Sequence, residues 1–314
     1  MRYGLPYKGS KNQIAEWVIE NLPSGGTFVD MFCGGCAVTH AALLSGRWDR
    51  YIINDIDGRM PKLFLDAIHG KYTPENCSEW ISREEFHRCK DEDAFVAICW
   101  SFANNGVDYI YGKNVEPFKE ALHYACFVND TSKLEALGFR VEKSDKPSVA
   151  ERIADYRNQL NANTLRTDLN GAERLEAVER LQNLERLQSL ASLQRLASLQ
   201  SLASDFSQVK IPTGAVVYCD PPYIGTNCGK YAGFDSERFH EWARQQDNIF
   251  ISEYQMPDDF VVVAEKEKIV LAGADDNRKT AVERIWTNRR TWDAMPDDRQ
   301  RMYLSGLAQQ MSLF

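Results

Sequence analysis

Short apolar runs alternate with helix-like segments near both ends of this chain. The run 27–32 is followed by a Cys-Gly-Gly-Cys turn and by the apolar segment 37–44, which predicts a strand, a tight turn and a helix. Further strands are predicted at 51–53 and 214–219. Buried strands that alternate with helices are typical of a mostly parallel sheet with helices on its faces. The pattern therefore predicts an α/β fold.

The same alternation continues beyond residue 219. Residues 239–244 have the pattern of a helix, and 248–252 that of another buried strand. A polar basic turn is predicted at 277–279, and the apolar alternation of 281–286 predicts a strand after it. The sheet is thus expected to draw its strands from two distant parts of the chain.

Composition and charge constrain the size of the fold and the possible binding partners only slightly. The chain has 314 residues, 44% of them hydrophobic, which is enough for an α/β core and a second, smaller region. A net charge of −8 argues against nucleic acid binding over the whole surface, so any such contact must be a local basic patch. The polar N-terminus shows no signal peptide or membrane span, and we expect a cytoplasmic protein with reduced thiols and no bound metal.

A glycine turn and a distant carboxylate suggest a nucleoside-binding site. Gly34 and Gly35 follow the first strand, and Asp55 ends the second strand about twenty positions later, the spacing at which a carboxylate reaches ribose hydroxyls. The full G-x-G-x-x-G fingerprint of dinucleotide sites is missing, so no pyrophosphate cradle is predicted. A ligand with a ribose but no phosphate, such as S-adenosylmethionine, fits better.

S-adenosylmethionine also needs a cation for its carboxylate. The segment Tyr7-Lys8-Gly9-Ser10-Lys11 can supply one, although by itself the segment fits an ordinary solvated loop better.

The Asp220-Pro221-Pro222-Tyr223 sequence follows directly after the run 214–219, at the predicted carboxyl end of a strand. Ligands bind at this edge in open α/β sheets. A carboxylate, rigid backbone carbonyls and an aromatic ring together suit a flat heterocycle that bears an amino group. Taken alone, the four residues could also be a tight loop that closes a strand.

Four motifs in this order resemble those of the D12 class of DNA adenine-N6 methyltransferases, found in bacteria and their phages. The motifs are Tyr7 with Gly9-Ser10-Lys11, then 28–35, then Asn54-Asp55-Ile56, then Asp220-Pro221-Pro222-Tyr223. The resemblance implies a class I S-adenosylmethionine-dependent methyltransferase fold and a monomeric enzyme that methylates adenine in DNA.

The resemblance also assigns residues. Cofactor binding is implied for Tyr7, Lys11, Asp30, Phe32, Gly34, Gly35, Asp55, Ile56 and Asp220, and catalysis for Asp220, Pro221, Pro222 and Tyr223. Tyr7 and Lys11 would hold the methionine end, Asp55 the ribose, and Ile56 the cofactor adenine. Two alternatives remain, a cytosine-N4 methyltransferase and a non-catalytic DNA-binding relative.

The resemblance divides the chain into regions. Residues 1–70 and 205–290 would form the catalytic domain, 71–204 the target-recognition region, and 291–314 a C-terminal tail. Local DNA contacts are expected from Lys230 and Tyr231 in a glycine-rich loop, and from Arg278 and Lys279; a mobile surface loop and a solvated hairpin turn fit these segments equally.

A leucine tract occupies residues 175–202 of the recognition region. An apolar residue recurs at every third position, which would circle an ideal α-helix and leave no single face buried. A short solenoid of three-residue edges and a helix are both open for this tract, which we interpret as a low-complexity insertion.

The C-terminus carries a separate signal. Its pentapeptide from Gln310 through Leu313 to Phe314 is similar to the Gln-Leu-Ser-Leu-Phe sequence by which bacterial proteins bind the replication sliding clamp, with Met311 in place of Leu. The alternative is that Leu313 and Phe314 pack on their own domain.

Overall fold

The computed structural model describes residues 2–7, 9–162, 183–184, 186–195, 198–223, 233–272 and 277–311. The chain divides into two compact units. Unit 1 comprises Met1–Gly4, Lys11–Pro61 and Arg195–Phe314, and unit 2 comprises Leu5–Ser10 and Lys62–Gln194. The division into functional regions predicted from sequence, with boundaries at 70, 204 and 290, stays a prediction.

Unit 1 contains a sheet of seven strands in the order β3-β2-β1-β4-β5-β7-β6. The strands are β1 (Gly25–Asp30), β2 (Trp48–Asn54), β3 (Leu199–Leu202), β4 (Val216–Cys219), β5 (Ile249–Ser252), β6 (Phe260–Ala272) and β7 (Asn277–Asn288). The first five pair in parallel, and β7 pairs antiparallel with both β5 and β6. The predicted mostly parallel sheet is confirmed.

Helices cover this sheet and build most of unit 2. Along the chain they are α1 (Ala15–Glu20), α2 (Ala37–Ser45), α3 (Arg59–Ile68), α4 (Arg83–Cys89), α5 (Ala94–Cys99), α6 (Glu116–Val128), α7 (Ser132–Ala136), α8 (Val149–Ala162), α9 (Ser236–Gln245), α10 (Arg289–Asp293) and α11 (Asp297–Met311). The helices predicted at 37–44 and 239–244 are α2 and α9.

The apolar sequences of the central strands explain why the centre of the sheet is buried. Every residue of β4 and β5 is buried, as apolar runs in parallel strands require because both faces of the sheet are covered. The core of unit 1 gathers Val29, Val217 and Ile251 from neighbouring strands with Phe239 of α9. This apolar core holds the strand ends rigidly in register.

The chain reverses its direction of travel across the sheet between β1 and β4. From β1 it proceeds to β2 and β3 on one side, and it resumes with β4 on the other side of β1. Asp30 pairs in register with Tyr218, and the Met31 backbone N–H donates to the Tyr218 carbonyl at 2.9 Å. A crevice opens at the carboxyl ends of strands at such a switch point. The segments that follow β1, β2 and β4 therefore lie at the same edge of the sheet.

Unit 2 has an aromatic cluster inside it. Trp80 stacks on Tyr111 at 5.5 Å between ring centroids and meets Trp100 edge-on at 5.1 Å. The segment between Trp100 and Tyr111 folds back on itself through a bridge between Ser101 and Tyr109. Phe102 and Val107 in this segment remain more than half exposed.

The described part of the leucine tract is neither a regular α-helix nor a solenoid. Residues 186–189 are α-helical, a 3-10 helix spans Leu190–Arg195, and the tract ends in β3. Leu187, Leu190 and Leu193 are each 0% exposed. Because a 3-10 helix has three residues per turn, an apolar residue at every third position stays on one face.

The basic turn predicted at 277–279 was wrong. Strand β7 begins at Asn277, and Arg278 and Lys279 pair with Leu271 and Val270 of β6 in a backbone ladder. The strand ladder overrides the local turn signal of Asn and basic residues. Within the described parts of the chain, no helix is both long and apolar enough to cross a membrane.

Candidate active site

The carboxyl ends of β1, β2 and β4 bring three carboxylates to one edge of the sheet. Asp30 is the last residue of β1, Asp55 follows β2 and Asp220 follows β4. The sequence motifs that are far apart along the chain are therefore neighbours in the fold, because the strands that carry them are adjacent and parallel.

Asp55 fixes the glycine turn after β1. Its Oδ2 accepts a hydrogen bond from the Gly34 backbone N–H at 2.9 Å, and its Oδ1 accepts one from the Asp57 N–H at 2.9 Å. Gly34 has a φ of 43°, a left-handed conformation that glycine adopts without the steric cost of a side chain. These two hydrogen bonds fix the Asp55 carboxylate beside the glycine turn.

Asp30 lies at the bottom of this edge and is 1% exposed. Its Oδ2 accepts a hydrogen bond from the Thr39 hydroxyl at 2.6 Å. Among the described residues no donor reaches its buried Oδ1. Burial raises the pKa of Asp30 to about 7, the negative charges of Asp220 and Asp55 add to this, and the Thr39 hydrogen bond opposes it.

Asp220 forms an ion pair with Lys11. The Lys11 Nζ lies 2.8 Å from Asp220 Oδ1, and the two side chains are 9% and 19% exposed. Burial lowers the pKa of Lys11, but the charges of Asp220 and Glu283 outweigh burial and leave the pKa raised. Lys11 is therefore a protonated cation in contact with the carboxylate at the end of β4.

The ring of Tyr223 lies against the same cation. Lys11 Nζ is 4.4 Å from the centroid of the Tyr223 ring. The ring of Tyr254 contacts the Tyr223 ring edge-on, at 4.7 Å between centroids. The Tyr223 hydroxyl donates a hydrogen bond to Glu283 Oε2 at 3.0 Å. Burial, followed by the charges of Asp220 and Glu283, raises the pKa of Tyr223, so its hydroxyl stays protonated.

The other predicted site residues differ in their surroundings. Ile56, next to Asp55, is 65% exposed although it is a large apolar side chain. Phe32 packs into an aromatic cluster with Phe206 and Phe239, at 5.7 and 5.5 Å between ring centroids. Phe32 therefore anchors the chain just before the glycine turn.

The glycine turn also packs closely against the N-terminal segment of unit 1. A Cβ added to Gly4 would lie 2.3 Å from the Gly35 carbonyl oxygen, so only glycine fits there. The Gly4 N–H donates to Nδ1 of His40 in α2 at 3.0 Å. These contacts of Gly4 fix the position of the turn between β1 and α2.

For the remaining predicted site residues the structure gives only the burial or the unit, and some of them lie outside its described parts. Pro221 is buried, Pro222 is half-buried, and Tyr7 belongs to unit 2. Lys230 and Tyr231 lie outside the described residues, and the side chains of Arg278 and Lys279 are likewise not described.

Cys33 and Cys36 are buried free thiols beside the glycine turn. Burial raises the pKa of both thiols, which keeps them protonated. In the ranges that the structure describes, no group of His, Cys, Asp and Glu side chains could hold a metal ion.

Two residues to which the sequence analysis gave no role make contacts at the site. The Asn54 side chain donates to the Met31 and Ser204 carbonyls, at 3.1 and 3.0 Å, and thereby ties β1 to the segment after β3. Glu283 is 2% exposed on β7. It could have been found, because strand alternation places Glu283 on the same face as the apolar Ile285.

Comparisons with known proteins agree with this geometry. A model of the D12 class N6 adenine-specific DNA methyltransferase family matches residues 7–279. A search of curated proteins gave no match. The match spans both units and all four motifs, and the strand order is that of the class I methyltransferase fold. The chain therefore belongs to the D12 class N6 adenine-specific DNA methyltransferase family and is an adenine-specific DNA methyltransferase.

Proposed function

We propose that this protein transfers a methyl group from S-adenosylmethionine to N6 of an adenine extruded from DNA, with Asp220 as the acceptor for the target amine. One observation carries the proposal. The carboxylate of Asp220 lies at the carboxyl end of β4, at the switch point of the sheet, in contact with Lys11 and beside the ring of Tyr223.

Three features of this edge fit S-adenosylmethionine. Asp55 is a carboxylate at the end of β2, the group that binds ribose hydroxyls at this place in such folds, and the exposed apolar side chain of Ile56 next to it offers a surface for an adenine ring. The buried Oδ1 of Asp30 is an acceptor for an ammonium group. Together these match the ribose, the adenine and the ammonium group of the ligand.

Lys11 can serve both the cofactor and the catalytic carboxylate. Its ammonium has three N–H donors, and the ion pair with Asp220 occupies one of them. A methionine carboxylate could accept from another. The proposed role at the methionine end is therefore compatible with the observed contact, and Tyr7 stays a prediction for the same end.

The chemical difficulty of the reaction lies in the target amine, whose lone pair is delocalised into the adenine ring. Bound S-adenosylmethionine supplies a methyl group on a sulfonium, with a neutral thioether as leaving group. In the proposed arrangement Asp220 accepts one N–H of the amine and the Pro221 carbonyl accepts the other, which localises the lone pair on nitrogen. The N–CH₃ bond forms as the S–CH₃ bond breaks, and a proton then leaves nitrogen for solvent.

The target amine is not accessible inside a duplex, so the adenine has to leave the base stack. Extrusion costs a few kcal/mol in lost stacking and pairing. Stacking on the ring of Tyr223 would recover part of this cost, at about 1–3 kcal/mol per base. The rigid Pro221-Pro222 backbone would hold the ring and the acceptor carbonyl in fixed relation.

The test is to incubate the protein with DNA and methyl-labelled S-adenosylmethionine, digest the DNA to nucleosides and identify the labelled product. We expect N6-methyladenine. The Asp220→Ala variant should lose at least about 100-fold in rate, because it lacks the acceptor for the amine. Asp258→Ala is the matched control, since Asp258 is an exposed carboxylate in unit 1. Label in N4-methylcytosine, or no label in DNA, would refute the proposal.

The family match bears on some of the functions and partners predicted from sequence and leaves the others as predictions. The family match favours adenine over cytosine and an enzyme over a non-catalytic relative. Target recognition by 71–204, DNA contacts from Lys230, Tyr231, Arg278 and Lys279, and a monomeric state stay predictions. Clamp binding through Gln310, Leu313 and Phe314 also stays a prediction from sequence, because residues 312–314 lie outside the described ones.

A further inference from the structure

Glu283 is a carboxylate that the sequence motifs do not include. It lies in β7, the strand that pairs antiparallel with β5, and not at the end of a parallel strand where the motif residues stand. Strand alternation puts it on the buried face with Ile285 and Thr287, which are both 0% exposed. A carboxylate that is 2% exposed in such a position is costly to bury without partners.

Glu283 contacts a residue of the proposed catalytic motif. Its Oε2 accepts a hydrogen bond from the Tyr223 hydroxyl at 3.0 Å. The charge of Glu283 also helps to keep the ammonium of Lys11 protonated, and Lys11 in turn contacts Asp220. Glu283 therefore acts on both neighbours of the Asp220 carboxylate.

The ring of Tyr223 is held at several points. Glu283 fixes its hydroxyl, the edge-on ring of Tyr254 lies 4.7 Å away, and Lys11 Nζ lies 4.4 Å from its centroid. Without the hydroxyl contact the ring could rotate about its side-chain bonds while the backbone of the motif stayed in place. The acceptor is a carboxylate, and hydrogen bonds to carboxylates are generally stronger than those between neutral groups.

We propose that Glu283 is a positioning residue for methyl transfer, which fixes the Tyr223 ring so that an extruded adenine stacks with its amine at Asp220. This inference rests on the proposed function, because it concerns how the same site orients the target base. Glu283 acts through Tyr223 and Lys11 and does not itself touch the reacting atoms.

The effect should appear in the rate of the chemical step more than in DNA affinity. Glu283→Ala removes the acceptor, and we expect the single-turnover methylation rate at saturating DNA to fall about ten- to a hundredfold, the range for loss of a hydrogen bond to a charged group. Glu283→Gln keeps a carbonyl oxygen as acceptor for the Tyr223 hydroxyl, so it should restore part of the rate. The KM for DNA should change less than the rate constant.

A double-mutant cycle isolates the pair. Tyr223→Phe removes the hydroxyl donor and keeps the ring, so after this change Glu283 no longer has that hydrogen bond to make. We expect Tyr223→Phe combined with Glu283→Gln to lose clearly less than the product of the two single losses. Multiplicative losses would overturn the inference, as would Glu283→Ala and Glu283→Gln at the parent rate.

Glu267→Gln is the matched control. Glu267 is an exposed carboxylate in β6, and its backbone partner is Val282, next to Glu283. The same chemical change in the same strand pair should leave the rate unchanged. If Glu283→Ala does not fold, the double-mutant cycle with Glu283→Gln still measures the coupling. Glu283→Gln keeps a polar side chain of the same shape at position 283.

A second measurement separates positioning from a purely structural role. DNA with 2-aminopurine at the target position reports by fluorescence on the stacking of the extruded base. Glu283→Ala should change the emission of the bound complex, and any loss of S-adenosylmethionine binding through Lys11 should be much smaller than the loss of rate. Equal loss of cofactor binding and rate would indicate a structural role and overturn the inference. Failure of the parent protein to form N6-methyladenine would instead refute the proposed function.

Discussion

The buried carboxylate of Asp30 makes a quantitative prediction about how stability depends on pH. Burial in unit 1, with the charges of Asp220 and Asp55 nearby, raises its pKa from 3.8 to about 7. In the unfolded chain the same group has its ordinary pKa. The folded protein therefore binds this proton more tightly than the unfolded chain does. It follows that the free energy of unfolding falls as the pH rises from 3.8 to about 7.

The size of the effect follows from the shift. A difference of about 3 units corresponds to about 4 kcal/mol once the pH is well above 7. Near pH 5 the folded carboxyl is protonated and the loss of stability is about 2 kcal/mol, so a further loss of about 2 to 3 kcal/mol falls between about pH 5 and pH 8. This is a large fraction of the stability of a typical protein.

The Asp30→Asn variant should remove this dependence. An amide has nearly the same shape and its oxygen can still accept from the Thr39 hydroxyl, but it does not titrate. Compared with the parent, Asp30→Asn should gain about 2 to 3 kcal/mol in relative stability between about pH 5 and pH 8.

Urea titrations of parent and variant at both pH values measure the difference. Asp258→Asn, a change of an exposed carboxylate in the same unit, is the control and should follow the parent. Parent and Asp30→Asn stabilities that change in parallel with pH would show that Asp30 has an ordinary pKa and would refute the reasoning.

Two further predictions concern packing. Gly4→Ala should destabilise unit 1 by more than about 2 kcal/mol in urea unfolding, because its Cβ would lie 2.3 Å from the Gly35 carbonyl oxygen. Gly46→Ala shares the left-handed φ but has open space, and should cost only about 1 kcal/mol; equal losses would contradict the packing argument. Leu190→Ala should cost about 2–5 kcal/mol because Leu190 is 0% exposed. Leu304→Ala, at a position 53% exposed, should stay within about 1 kcal/mol, and a similar loss for both would refute the buried face.

The parts of the fold that could be predicted are those where local pattern and final environment agree. β1, β4 and β5 are short apolar runs that end at turn signals, and these strands are buried on both faces. The glycine turn and Asp55 were identifiable because their spacing follows from the length of one strand-helix-strand unit.

The remainder depends on pairings that a local pattern does not contain. The turn signal at Arg278 and Lys279 gave way to a long antiparallel ladder with β6, whose stability comes from hydrogen bonds to a distant segment. Glu283 became a site residue only because β7 inserts between β5 and β6 and brings its buried face to Tyr223. The contact of Lys11 with Asp220 joins residues that are more than two hundred positions apart in sequence.

The three-residue spacing of the buried leucines has a consequence for how this chain can change length. Each unit of the spacing corresponds to one turn of the 3-10 helix at Leu190–Arg195. Insertion of one more unit there would lengthen the helix by about 6 Å and return the next leucine to the same face. The tract can therefore grow or shrink in small steps that each preserve its apolar face, while the motifs around Asp55 and Asp220 keep their own sequence.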